Sequence, residues 1–150
     1  MKLSIVAAAL SLLAAPAFAD GHAGPSGDVE AGEAAFNRQC VACHVVVDAD
    51  GNKLAGRSAK TGPNLYAIAN RQAGIVEGFR YGKSMVEAGE AGLMWDEASF
   101  VPYVQDPNDF LRTFLDNKRA RGKMAFKVRA EEDAINMYAY LYSLAPPAAE

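Results

Sequence analysis

The chain has 150 residues and a formal net charge of −3, which argues against a nucleic-acid-binding role. Its hydrophobic share of 51% is enough for a packed core and excludes a charge-rich disordered chain. Two cysteines, Cys40 and Cys43, are too few for a disulfide-stapled scaffold.

The first element is a leader. Lys2 precedes an apolar and small-residue run from Leu3 to Ala15, and Ala17-Phe18-Ala19 has the small-x-small form that signal peptidase cuts after. The run is short for a membrane span, and no basic stop-transfer flank follows it. Residues 1–19 therefore read as a removed signal peptide, and the product as an exported protein without a membrane anchor, periplasmic in a bacterium. Loss of Lys2 takes the net charge from −3 to −4. The remainder, about 130 residues, is the size of one domain.

Residues 20–27, rich in Gly and Pro, read as a flexible tail in which His22 is solvated. Asp28 is a good N-cap for a helix carrying Glu30 and Glu33 near its start, where they suit the helix dipole. Its apolar period runs through Val29, Ala35/Phe36 and Cys40/Cys43. Gly32 inside that helix costs about 1 kcal/mol relative to Ala, which suggests close approach by another backbone, with a merely tolerated glycine as the alternative. Residues 45–65 read as a polar connection, with Asp50-Gly51 as the turn of a small hairpin.

Residues 65–72 are a short helix candidate, and 73–92, with five glycines, read mostly as loop. Residues 94–106 form a helix candidate containing Pro102. Residues 107–117 form another, with Pro107 well placed in its first turn. Residues 118–130 are basic and lack a period. Residues 131–144 are the clearest helix, acidic at the start and stopped by Pro146-Pro147. The domain, 28–144 with a tail at 145–150, is predicted to be all-α with long irregular loops. A chain of this length with so much irregular backbone buries little regular core, so a large bound cofactor is expected at its centre.

The chemistry lies in FNRQCVACHVVV, residues 36–47. A disulfide across two intervening residues closes too small a loop to stabilise much. A thioredoxin-like dithiol wants a βαβ context that is not visible. Structural zinc wants four N/S ligands, and only Cys40, Cys43, His44 and the tail histidine are available. Cys-x-x-Cys-His reads instead as covalent haem c attachment. On a helix, positions i, i+3 and i+4 share a face, so both thiols can form thioethers on one porphyrin edge while His44 reaches the iron from the same side.

A sixth ligand or an open position must complete such an iron. The candidates are Met85, Met94, Met124 and Met137. Met137, on the clearest helix, reads as core filler. Met124 lies in RGKMAFKV, an irregular stretch able to wrap the far face of a haem, and is favoured. His/Met ligation leaves no open site and makes an electron carrier. An open site would make a haem enzyme or gas-binding protein, the alternative reading.

Taken together, GEAAFNRQCVACH, TGPNLYAIANRQAG, GFRY, MWDEASFVPYVQDP, KMAF and MYAYLYSL resemble the class I cytochromes c, the large soluble bacterial kind close to the mitochondrial protein. The resemblance runs from about Asp28 to Leu144. It implies that Cys40 and Cys43 are the thioether cysteines and that His44 and Met124 are the axial ligands. Pro63 corresponds to the proline whose carbonyl orients the histidine. Arg71, Tyr81 and Trp95 correspond to residues engaging the haem propionates, Tyr103 to a tyrosine near the methionine sulfur, and Phe126 to an aromatic at the exposed haem edge. Gly32 and Phe36 correspond to the crossing of the first and last helices, against Met137 and Tyr140. The implied activity is one-electron transport, from a quinol-oxidising cytochrome complex to an oxidase, a photosynthetic reaction centre or a periplasmic reductase, and not enzymatic.

Residues 45–61 and 82–92 are longer than in the mitochondrial protein, and no role is assigned there. Lys118, Arg119, Arg121, Lys123, Lys127 and Arg129 form a run without an acid between Asp116 and Glu131. Around a haem edge at Met124, this run is a candidate docking patch for an acidic redox partner.

Overall fold

The computed structural model describes residues 24–145; the leader, His22 and the Pro146-Pro147 stop lie outside this range. The described residues form five helices and one small two-stranded sheet. No helix among the described residues is long and apolar enough to cross a membrane.

Helix α1 is Val29–Gln39, and Asp28 caps it by accepting from Ala31 N at 2.7 Å. Its buried side, Gly32, Ala35 and Phe36, follows the i, i+3, i+4 period. That side packs on α5, Glu131–Leu144, which buries a continuous run from Asn136 to Leu141. A Cβ on Gly32 would stand 2.6 Å from the Asn136 carbonyl carbon and 2.9 Å from Tyr140 Cβ, so the backbones touch as the glycine predicted. Phe36, fully buried, meets Tyr140 with ring centroids 5.7 Å apart. Burial of one such side chain stabilises by about 1.5–3 kcal/mol. Helix α5 lacks a side-chain cap, and Glu131, Glu132 and Asp133 in its first turn compensate through the dipole.

The hairpin forms as expected: β1, Val45–Val47, pairs antiparallel with β2, Lys53–Gly56. Gly51 takes the left-handed conformation the turn needs, with φ of 86°. Asp48 braces the turn by accepting from Asp50 N, Asn52 N and the Asn52 amide.

Four expectations need correction. Residues 65–72 form turns, not a helix. Ala67 and Asn70 have φ of 51° and 56°, outside the helical region, and Arg71 satisfies the Tyr66 carbonyl in place of a helical ladder. Conversely, 73–92 is not all loop: Lys83–Glu90 is helix α2, whose glycine is used where Gly89 passes the Ala73 carbonyl. Next, the tail assigned to 20–27 is tied down at its end. Ser26 donates from its N and Oγ to Glu97, and Gly27 lies against the α5 backbone at Ile135 and Asn136. Last, α1 stops at Gln39, so Cys40 and Cys43 follow the helix instead of extending it.

Helices α3, Glu97–Gln105, and α4, Pro107–Phe114, are joined by Asp106 alone. Asp106 ends α3 and caps α4 through Asp109 N, and Pro107 opens α4. Residues 117–130 cross the front of the molecule without a helix or strand.

Candidate functional site

Beyond the end of α1, the backbone makes one more turn. Cys43 N and His44 N both donate to the Cys40 carbonyl, at 3.0 and 2.9 Å. This turn, in place of a full helix, brings the two thiols and the imidazole to one wall of a cavity of about 460 Å³, within the usual range for cofactor sites. Both thiols are free. Burial, and secondarily the neighbouring Cys43, push the Cys40 thiol up to about 12.

His44 is oriented from behind. Its Nδ1 lies 3.0 Å from the Pro63 carbonyl oxygen. A carbonyl only accepts, so the proton sits on Nδ1 and Nε2 keeps its lone pair. Burial lowers the His44 pKa, partly offset by that hydrogen bond, and so favours the neutral ring a metal needs. Gly62 makes the seat possible. A Cβ there would lie 2.5 Å from Nδ1 and 2.7 Å from Nε2 of His44. Gly62 N in turn donates to the Cys43 carbonyl at 2.7 Å, tying the 61–64 turn to the cysteine turn.

The 117–130 segment also reaches the cavity, supplying Met124 and Phe126 to its lining. Of the other methionine candidates, Met94 is 44% exposed and off the cavity. Met137 is buried with its sulfur 3.6 Å from Cys40 Sγ, which suits the filler role. Met85 is buried on α2 and also reaches the lining. Phe126 is 47% exposed and lines the cavity.

The floor is built by pairing distant segments. Asn70 N donates to the Trp95 carbonyl, Trp95 N to that of Arg71, and Ala73 N to that of Leu93, each at 2.9 Å. This sets Arg71 beside Trp95 on the lining, with Tyr81 and Tyr103. Arg71 donates to the Tyr66 carbonyl at 2.7 Å and to that of Asn64 at 3.5 Å, but its buried Nε has no partner. Burial lowers the Arg71 pKa, with Tyr81 opposing, and burial likewise raises the Tyr81 phenol. Tyr103 packs on Trp95 with centroids 4.8 Å apart, and burial raises its phenol strongly.

These residues fit a haem. The wall carries two thiols and an imidazole with a free lone pair, and the rest of the lining is largely apolar. The unpartnered Nε–H of Arg71 is a buried cationic donor that an acidic group of the cofactor would satisfy. All ten residues singled out from the sequence lie on this one cavity: Cys40, Cys43, His44, Pro63, Arg71, Tyr81, Trp95, Tyr103, Met124 and Phe126. Gly62 was missed as the space-giver for His44, although its place beside Pro63 in TGPNL was a usable signal. Asn136 was also missed: its Oδ1 accepts from Asp28 N at 2.8 Å and locks the entry to α1.

The basic run is less uniform than its sequence implied. Lys127 pairs with Asp106 at 2.5 Å, and Lys123 Nζ donates to the Arg80 carbonyl. Lys118, Arg119 and Arg121 are exposed and have no ion pair among the described residues.

No protein-family model matches the chain. Known proteins do. The chain is 59% identical over 119 residues to cytochrome c2 of Rhodovulum adriaticum, covering 79% of this chain and 94% of that protein. It is 49% identical over 145 residues to cytochrome c2 of Cereibacter sphaeroides, covering 96% of each. Its fold superposes on the crystal structure of cytochrome c2 from Rhodobacter sphaeroides with a TM-score of 0.77 and 53% identity, covering 79% of this chain and 97% of that one. The fold, the cavity and these identities make the chain a member of the class I c-type cytochromes, electron carriers and not enzymes, which hold one covalently bound haem c.

Proposed function

We propose that this protein is an exported one-electron shuttle in which Cys40 and Cys43 anchor the haem as thioethers and His44 and Met124 ligate its iron from opposite sides. The observation that carries the reading is the 3.0 Å contact between His44 Nδ1 and the Pro63 carbonyl. It leaves Nε2 for a metal inside a cavity shared with both thiols and Met124. When bound, the haem supplies a reversible one-electron couple, and His/Met ligation holds its potential high with no open position.

The chain's own residues do the rest. Pro63 fixes the imidazole tautomer and raises the basicity of Nε2. Arg71, through its unpartnered Nε, together with Tyr81 and Trp95, supplies donors to the cofactor's carboxylates. Tyr103 packs against Trp95 on the cavity lining, near the Met124 sulfur in this reading. Phe126 marks the edge by which electrons leave.

Export rests on the leader at residues 1–19 and places the mature protein in the periplasm. Docking is assigned to the exposed cations Lys118, Arg119 and Arg121, with Lys123 on the cavity lining and Lys127 paired to Asp106, and to an acidic partner surface. The partners are redox proteins: a quinol-oxidising cytochrome complex as donor, and an oxidase, reaction centre or periplasmic reductase as acceptor.

The test uses the purified holoprotein. The oxidised form should show the weak sulfur-to-iron band, and the reduced form should resist carbon monoxide. Met124→Ala should abolish the band and open the iron to carbon monoxide. Rapid carbon monoxide binding by the unsubstituted protein, with no such band, rejects the reading in favour of an open-site haem protein.

A further inference from the structure

The segment that presents Met124 has no helix or strand of its own, so its backbone amides must find partners elsewhere. Two successive ones do so through side chains. Arg121 N donates to Ser84 Oγ at 3.1 Å, and Gly122 N donates to Asn108 Oδ1 at 2.9 Å. Ser84 is the second residue of α2, and Asn108 is the second residue of α4. A third tie follows at once, from Lys123 Nζ to the Arg80 carbonyl. Gly82, which caps α2, lies next to that lysine: a Cβ there would be in van der Waals contact with Lys123 Cγ at 3.4 Å.

Thus residues 121 and 122 are held against two helices that pack on each other, and residue 123 against the loop leading into the first of them. The held residues end immediately before Met124. The anchors are rigid: α2 buries Met85, Ala88 and Gly89, and α4 buries Pro107 and Leu111. The downstream side is tied as well, where Val128 N donates to the Val104 carbonyl of α3 at 2.9 Å. Residues 124–127 therefore form a short span between fixed points.

We infer that Ser84 and Asn108 are positioning residues for Met124, and that α2 serves as a strut that resists displacement of this ligand. The inference rests on the reading of Met124 as an iron ligand. A ligand on a loop is lost by local opening, at a free energy below that of global unfolding. Each tether raises that local opening free energy without touching the iron. Loss of Ser84 Oγ or Asn108 Oδ1 leaves a loop amide without its acceptor and lets residues 121–124 lift.

The experiment titrates the ferric holoprotein with imidazole, an external ligand that competes with Met124, and follows the sulfur-to-iron band. Ser84→Ala and Asn108→Ala should each tighten apparent imidazole binding about three- to tenfold, the range set by the net worth of one such hydrogen bond. Ser84→Thr and Asn108→Asp keep an acceptor oxygen and should restore most of the native affinity. Asp48→Ala, in the hairpin turn, serves as the control for general destabilisation. It should lower the urea midpoint and leave imidazole affinity unchanged. Imidazole affinities equal to that of the unsubstituted protein in both alanine variants overturn the inference while leaving Met124 as ligand. So does an equal gain in Asp48→Ala. A band absent from the unsubstituted protein overturns the ligand reading, and the strut with it.

Discussion

Gly32 of α1 and Asn136 of α5 lie with their backbones in contact, and the Asn136 side chain accepts from Asp28 N at the entry to the same helix. One residue of the last helix thus fixes both the crossing point and the start of the first. Gly32→Ala would place a Cβ against the Asn136 carbonyl, where no flexible side chain can yield. The expected loss is at least about 3 kcal/mol in urea unfolding, because the two helices must separate. A loss under about 1 kcal/mol would contradict the packing described.

Gly62 stands in the same relation to His44. Gly62→Ala should push the imidazole off its seat and break the contact with the Pro63 carbonyl. Destabilisation of about 1–3 kcal/mol is expected from overpacking. The distinctive readout is the ring: the Nδ1 proton of His44 should lose its hydrogen-bonded shift in the NMR spectrum of the reduced protein. An unchanged resonance would show that the ring had not needed the space.

Asp106 joins α3 to α4 and pairs with Lys127. Its carboxyl pKa is lowered, first by the Lys127 hydrogen bond and then by the capping amide of Asp109. A carboxyl depressed in the folded state contributes stability above its unfolded pKa and loses it as the pH falls through the folded value. Stability should therefore decline on acidification below the ordinary carboxylate range. In Lys127→Ala the Asp106 titration, followed by carbon NMR of the side chain, should move upward. A titration unmoved by Lys127→Ala would mean that the pair does not persist in solution.

Charge reversal at Lys118 and Arg119 should slow electron transfer to an acidic redox partner about tenfold at low ionic strength, and the difference should shrink as salt is raised. Lys127→Ala should do less, because Asp106 already neutralises that charge. Stopped-flow rates across a salt series decide it; rates independent of both salt and charge reversal would remove the docking patch.

Local rules carried much of the fold into view. The Asp28 cap, the Asp50-Gly51 turn, Pro107 at the start of α4 and the acidic start of α5 are each decided within a few residues. Helix α2 was hidden because the glycines on either side of it suggested loop, whereas Gly89 within it is needed where the helix passes the Ala73 carbonyl. The turns at 65–72 were hidden for the opposite reason. Leu65, Ile68 and Ala69 have a helical spacing, yet their burial comes from irregular backbone stitched by Asn64 and Arg71. Partners such as Asn136, Ser84 and Asn108 lie far along the chain from the groups they bind, and no local pattern announces them.

By itself, the sequence determined the attachment chemistry. Cys40, Cys43 and His44 fall within one backbone turn, so their spacing alone sets their relative positions. Only the tertiary structure decided what faces them. It turned Met94 outward, packed Met137 beside Cys40, and brought Lys123 and Met124 to the cavity lining next to residues tethered to two helices. A wall made by residues some eighty positions from the first cannot be read from spacing, because its place depends on packing and hydrogen bonds between segments distant in the chain.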